Sequence, residues 1–194
     1  MSNIDKAKIG DTVDATVTRN AGQEDNVLAI GVYSAECYGA DGQLKWSDKF
    51  NNLTTNVGRQ DLLQKYFITN AGPGAVVMGL KGTGSAGVGD TQAVHAGWLE
   101  VGLANNPFYS GTRKTPIFTN PVSTTNPAVL STSTAVVFTM TSAGTVAGAF
   151  INVGGSSAID NGTGILFSVG DFTAGSKTVT SGDTINVTYT LSAS

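Results

Sequence analysis

The sequence predicts a mainly β fold, a β-sandwich of jelly-roll-like or immunoglobulin-like kind, with one short α-helix packed on it and an extended N-terminal arm. Three observations lead there. Short runs rich in Val, Ile, Thr, Phe and Tyr recur between Gly- and Asp-containing turns. Helical periodicity occurs in one segment only, within residues 54–67. Glycine supplies 25 of the 194 residues and charged side chains only 13%, about half the usual share of a globular domain. A chain of this length buries roughly 70% of its unfolded surface, so its core needs no disulfide or metal.

Residues 1–26 alternate weakly, with Val13, Ala15 and Val17 on one face, until AGQED interrupts them. They read as an arm or a first edge strand, and residues 27–194 as a single β-sandwich domain. Within 27–50, two β-rich runs flank GADG, where Asp41-Gly42 favours a tight reversal. Tyr33, Ala35 and Cys37 share one face of the first run, so Cys37, the single cysteine, is a buried inert thiol. The second run sets Leu44 and Trp46 against Lys45 and Ser47, one buried face and one wet.

TTNVGRQDLLQKYF is the helix, capped by Thr55 or Asn56, with Asp61 placed to suit the dipole. Leu62, Leu63, Tyr66 and Phe67 recur at helical spacing and are expected to pack on a sheet; Gly72-Pro73-Gly74 stops the helix. AVVMGL reads as a buried strand, KGTGSAGVGD as a loop and HAGWLEV as a further strand. Residues 104–131 hold four of the five prolines, which excludes a central strand across most of that stretch. STAVVFTM, TVAGAFINV, GILFSVGDF, KTVTS and TINVTYTL complete the β-rich remainder.

The balance of 11 basic and 14 acidic side chains gives a net charge of −3, which argues against a phosphate-tracking nucleic-acid binder. The first residues lack the apolar core of a signal peptide, and no run of eighteen apolar residues spans a membrane. From Thr115 onward only Lys177, Asp160, Asp171 and Asp183 are charged. That surface is either a Thr/Ser coat or a face covered in an assembly.

Catalytic chemistry finds little purchase. His95 is the only histidine, no G-x-S-x-G elbow exists, and one His with one Cys makes no zinc site. His95 is read as a residue hydrogen-bonded to backbone beside Trp98. Gly82-Thr83-Gly84-Ser85-Ala86-Gly87 fits G-x-G-x-x-G, but VGDTQAVHAGW is too short and Gly-broken for the helix a dinucleotide site requires. Asp41-Gly42, Asp160-Asn161-Gly162 and Gly182-Asp183 are turns without the acidic spacing of a calcium loop. No cofactor, metal or catalytic residue is expected.

The run VYSAECYGADGQLKWSDKFNNLTTNVGRQDLLQKYF resembles the opening of a family of small tailed-bacteriophage virion proteins. Those proteins pair a hairpin of the E-C-Y-D-A-D-G-x-L-K-W type with N-x-x-x-N-x-G leading into D-L-L-x-K-Y-F. His95-Ala96-Gly97-Trp98 with Glu100, AGTVAGAF and the closing GDFTAGSKTVTSGDTINVTYTL extend the resemblance over residues 30–194. In that family an aromatic follows an Arg in the middle loop, whereas Arg113 here precedes Pro116-Ile117-Phe118. The resemblance implies a non-catalytic virion component, made in the bacterial cytoplasm and residing in the particle.

The leading expectation is a head decoration (cement) protein, a homo-oligomer (dimer or trimer) bridging subunits of the major capsid protein. Ile4, Ile9, Val13 and Val17 of the arm, with Arg113 and Phe118 of the Pro-rich loop, are the expected intersubunit contacts. A tail- or fibre-associated adhesion protein is the alternative, with Phe108, Tyr109 and Phe118 as loop aromatics. A carbohydrate-binding module stacking sugars on Trp98 and Tyr109 is the third.

Overall fold

The computed structural model describes residues 29–69, 72, 74–121 and 127–193; the expected arm contacts Ile4, Ile9, Val13 and Val17 lie outside them. The expected hairpin is present as β1 (Ala29–Tyr38) and β2 (Leu44–Asn51). Gly42 turns it at φ 77°, a left-handed conformation that glycine adopts without a Cβ penalty. Tyr33, Ala35 and Cys37 are buried as the alternation requires.

Leu44 departs from the expected pattern. A bulge between Cys37 and Tyr38 sets Cys37 opposite Trp46 but Tyr38 opposite Leu44. One skipped residue moves a side chain to the other face. Leu44 is therefore 54% exposed, while Trp46 stays half-buried with its ring against Phe172 at 5.3 Å.

The chain continues through β3 (Leu53–Thr54), α1 (Asn56–Gln64) and a π-helical turn, Lys65–Thr69. Then come β4 (Val76–Gly84), β5 (Trp98–Glu100), β6 (Ala128–Ser131), β7 (Val136–Thr139), β8 (Gly144–Val146) and β9 (Gly148–Val153). β10 (Ile165–Asp171), β11 (Lys177–Val179) and β12 (Thr184–Ala193) complete it. One sheet has the order β2-β1-β12-β6, with β7 also paired to β12. The other has the order β3-β10-β9-β4-β5, and β8 and β11 form a separate two-stranded ribbon. All the pairings are antiparallel.

The core lies between the two sheets. Tyr33, Phe50, Phe138 and Tyr189 from the first meet Met78, Leu80 and Ile151 from the second. Each such side chain contributes about 1.5–3 kcal/mol by leaving water. Tyr33 stacks on Phe50 at 5.2 Å and its hydroxyl lies 2.8 Å from Ser168 Oγ, joining the sheets. Burial raises the Tyr33 hydroxyl well above the ordinary tyrosine range, so it stays a neutral hydrogen-bonding group.

β9 is buried along its whole length, because loops also cover the outer face of its sheet. Trp98, Phe150, Leu166 and Val169 form a second apolar cluster there. Under the same cover β4 runs on through Lys81–Gly84, a stretch whose sequence reads as loop. Lys81 is fully buried, with Nζ 2.5 Å from Asp171 Oδ1 and bonded to the carbonyls of Gly82 and Gly84. Gly148 stands between Lys81 and Asp171 in the ladder, paired with both, and leaves the side chains room to meet.

The helix corrects a second expectation. Thr55 caps it, its Oγ1 accepting from Gly58 N at 3.0 Å and donating to the Leu166 carbonyl. Gly58 lies against the backbone of Phe167, where a Cβ would overlap the carbonyl oxygen. The helix thus docks on β10 by its first turn, through a buried cap and a glycine. Leu62, Leu63, Tyr66 and Phe67 do not pack on the sheet; they are 44%, 58%, 78% and 74% exposed. Asp61 is not in the first turn and instead pairs with Lys65 at 3.0 Å.

Candidate interaction surfaces

The Pro-rich middle segment is anchored from inside. Arg113 Nε donates to Glu100 Oε1 at 2.8 Å and its Nη2 to Oε2 at 2.6 Å. The same guanidinium reaches the carbonyls of Ser156 and Asn161, and stands 5.5 Å over the Phe150 ring. Glu100 also accepts from Asp160 N–H at 3.1 Å. Asp160 holds φ 58°, the left-handed turn conformation expected of the Asp-Asn-Gly sequence. Burial pushes the Glu100 carboxyl above the usual carboxylate range, against the opposing pull of Arg113. Next to the pair, Met78 and Lys114 exchange two backbone hydrogen bonds of 2.7 and 2.9 Å.

Arg113, expected as an intersubunit contact, is therefore consumed within the chain, because a buried guanidinium needs a buried carboxylate. Phe118 is half-buried, packed on the core and bridged to Thr132; its neighbour Ile117 is the exposed one, at 66%. Trp98 and Tyr109 are 2% and 3% exposed, so neither presents a ring face on which a sugar could stack. His95 stacks on Trp98 at 4.0 Å, and its Nδ1 lies 3.1 Å from the Trp98 carbonyl. Trp98 in turn donates from Nε1 to Asp90 Oδ2 at 2.9 Å. Among the described residues, no three His, Cys, Asp or Glu side chains gather as a metal site would require.

Among the described residues, two surfaces stand out as open to a partner. The first is the outer face of the β2-β1-β12-β6 sheet. Strand alternation turns Ile30, Val32, Ser34, Glu36 and Tyr38 outward on β1, and Thr184, Asn186, Thr188, Thr190 and Ser192 on β12. Val129 and Ser131 of β6 and Val137 and Thr139 of β7 extend the same face, aligned by the register. Across β1, β12, β6 and β7 Glu36 is the only outward charge, and its carboxylate accepts from Tyr38 Oη at 2.7 Å; β2 at the sheet edge adds the exposed Lys49, opposite Ser34. Ordinary soluble surfaces are about 25–35% charged. Ile30, Val129 and Val137 are 43%, 37% and 47% exposed.

The second surface is the far half of the helix. Leu63, Phe67 and Ile68, with Gln60 and Gln64, line a recess of about 560 Å³. Tyr66 packs edge-on against Phe67 at 4.9 Å, and both rings face solvent. Sequence periodicity located these residues; their exposure follows from the end-on docking of the helix, which the periodicity does not encode.

No family model, no curated protein and no solved structure matches the chain.

Proposed function

We propose that this chain is a non-catalytic structural protein of a tailed-bacteriophage particle, a head decoration protein that binds the outer capsid surface as a homo-oligomer and stiffens the shell. The observation that carries the reading is the outer face formed by β1, β12, β6 and β7, on which Glu36 is the one charge. β1 of the resemblance-bearing hairpin and the strands of the charge-poor C-terminal half meet there.

Magnitude favours a repeated, additive role. Three strand spacings by ten residues give a face of about 500 Å², from roughly 4.8 Å between strands and 3.4 Å per residue. A stable pairwise interface buries about 800 Å² on each partner. One copy of this face therefore binds weakly, and strong attachment comes from many copies engaged together on one shell. Hydroxyls of Thr and Ser supply hydrogen bonds at low desolvation cost, and the scarcity of charge weakens the repulsion that keeps surfaces apart.

The test is co-sedimentation with particles stripped of this protein. Wild-type chain is expected to pellet with the particles, and a Val137→Lys/Thr188→Lys variant to stay in the supernatant while folding normally. Equal pelleting of the two would remove this face from the function. Attachment of the wild type to isolated tails and not to heads would replace decoration with the tail-associated alternative.

A further inference from the structure

The far half of the helix is the second open surface, and its residues form a knob beside a hole. Leu62, Leu63, Tyr66, Phe67 and Ile68 are 44%, 58%, 78%, 74% and 78% exposed within seven residues. Single exposed apolar residues are ordinary, but a contiguous group of this size marks a contact site. Gln60, Leu63, Gln64, Phe67 and Ile68 line the recess of about 560 Å³. Tyr66 stands beside it, its ring edge-on to Phe67 at 4.9 Å and turned to solvent.

Two local features produce this surface. Thr55 and Gly58 seat the first turn on β10, which leaves the later turns pointing away from the sheet. At Lys65–Thr69 the helix widens into a π-turn, a rare conformation often found at functional sites. Tyr66, Phe67 and Ile68, three consecutive large apolar side chains, all face solvent there.

A small ligand fits the recess poorly. Its five lining residues belong to one helical stretch, whereas a small-molecule site encloses most of its ligand. The missing wall has to come from a macromolecule. Aromatic side chains at the centre and polar ones at the margin are the composition of a protein interface. Asp61 and Lys65, which flank the patch, are paired with each other at 3.0 Å, so neither requires a counter-charge from a partner.

We infer that the occupant is a second copy of this chain, the two patches meeting across a two-fold axis. Such a contact joins the same surface on both copies, so that surface must be complementary to itself. A projecting ring next to a hollow meets the condition: the rotation brings Tyr66 of each copy to the recess of the other. The area agrees. A whole aromatic side chain covers about 150–250 Å², so at these exposures the five side chains present on the order of 600 Å². Two matched patches bury about 1,200 Å², the lower bound of a stable interface, before the rim of Gln60 and Gln64 is added. The inference stands on the helix alone. Its failure would leave the decoration reading to the co-sedimentation test, and failure of that test would leave the dimer untouched.

Sedimentation equilibrium of the full-length chain is expected to give twice the 19.8 kDa of one copy. A monomer at every concentration, or a trimer, would overturn the inference. Leu63→Lys/Phe67→Lys and Leu63→Glu/Phe67→Glu are each expected to be monomeric with the circular dichroism of wild type, since both positions are exposed. Doubled mass in either variant alone would contradict the contact. Mixing the two variants should restore a dimer containing one chain of each kind, because opposite charges then face each other. A mixture that stays monomeric would show that the patches do not meet. Val137→Lys/Thr188→Lys is expected to remain dimeric, and its dissociation would move self-association to the sheet face.

Discussion

The guanidinium of Arg113 and the carboxylate of Glu100 meet in a two-pronged ion pair, 2.6 and 2.8 Å long, with both side chains almost wholly out of water. The pair fastens the middle segment to β5 and, through the Ser156 and Asn161 carbonyls, to the loop before β10. Removing one partner strands the other charge in a desolvated site. Glu100→Gln or Arg113→Met is expected to cost about 3–5 kcal/mol. The double variant should cost less than the sum of the two, since no charge is then left unpaired. Urea denaturation of the three variants gives these values; a loss under about 1 kcal/mol for each single change would contradict the pair's role.

Gly58 seats the helix on β10 against the Phe167 backbone. Gly58→Ala places a methyl group where backbone cannot yield, and overpacking of this kind costs about 1–3 kcal/mol. The helix should loosen before the sheets do. Hydrogen exchange of residues 56–64 is expected to accelerate in this variant while β9 and β10 keep their protection. An intrinsic helix gain of about 1 kcal/mol appearing as net stabilisation would show that the contact is slack.

The ion pair between Lys45 of β2 and Asp183, just before β12, sets an acid limit. Burial opposes ionisation of Asp183, but hydrogen bonds from Lys45 Nζ (2.5 Å) and from Thr180 N–H and Oγ1 (2.8 and 3.1 Å) hold its carboxyl below the usual range. A carboxyl with a lowered folded value stabilises the fold above its unfolded value, about 3.9. That contribution fades as pH falls below about 4 and through the folded value. Wild type should therefore lose stability in this acid window, and Asp183→Asn should flatten the loss. Denaturation midpoints measured from neutral to strongly acidic pH decide it, and parallel profiles would contradict it.

Cys37 lies at the end of β1 with its thiol raised to about 11, by burial first and then by the Asp183 carboxylate, with Lys45 opposing. Thiolate is the reactive form. The native chain is expected to resist a thiol reagent at neutral pH and to react fully once denatured; rapid native labelling would place Cys37 at the surface.

Much of the fold was legible because local rules act on neighbouring residues. Asp41-Gly42 announced the hairpin, and the Tyr33, Ala35, Cys37 alternation announced its buried face. Leu44 was misread because a one-residue bulge inverts the alternation without leaving a mark in the sequence. The helix was correctly placed, yet the side it buries was not, since Gly58 and Thr55 make the contact and apolar periodicity weighs neither. Arg113 was read as an intersubunit contact: its partner stands thirteen positions away and becomes a neighbour only through the folding of β5 and the middle loop. The one available signal was Glu100, a carboxylate within the apolar run Trp98-Leu99-Glu100-Val101. For the surfaces, the low charge of the C-terminal half was visible, but its collection on one face needed the register of β12 with β1, β6 and β7.

The central proposal is that this chain decorates the outer shell of a phage head. Immunogold electron microscopy of purified particles from the source, with an antibody raised against the chain, tests that most directly. Gold spread evenly over intact heads is the result the account predicts. Gold confined to tails, or no labelling of intact and opened particles alike, would contradict it.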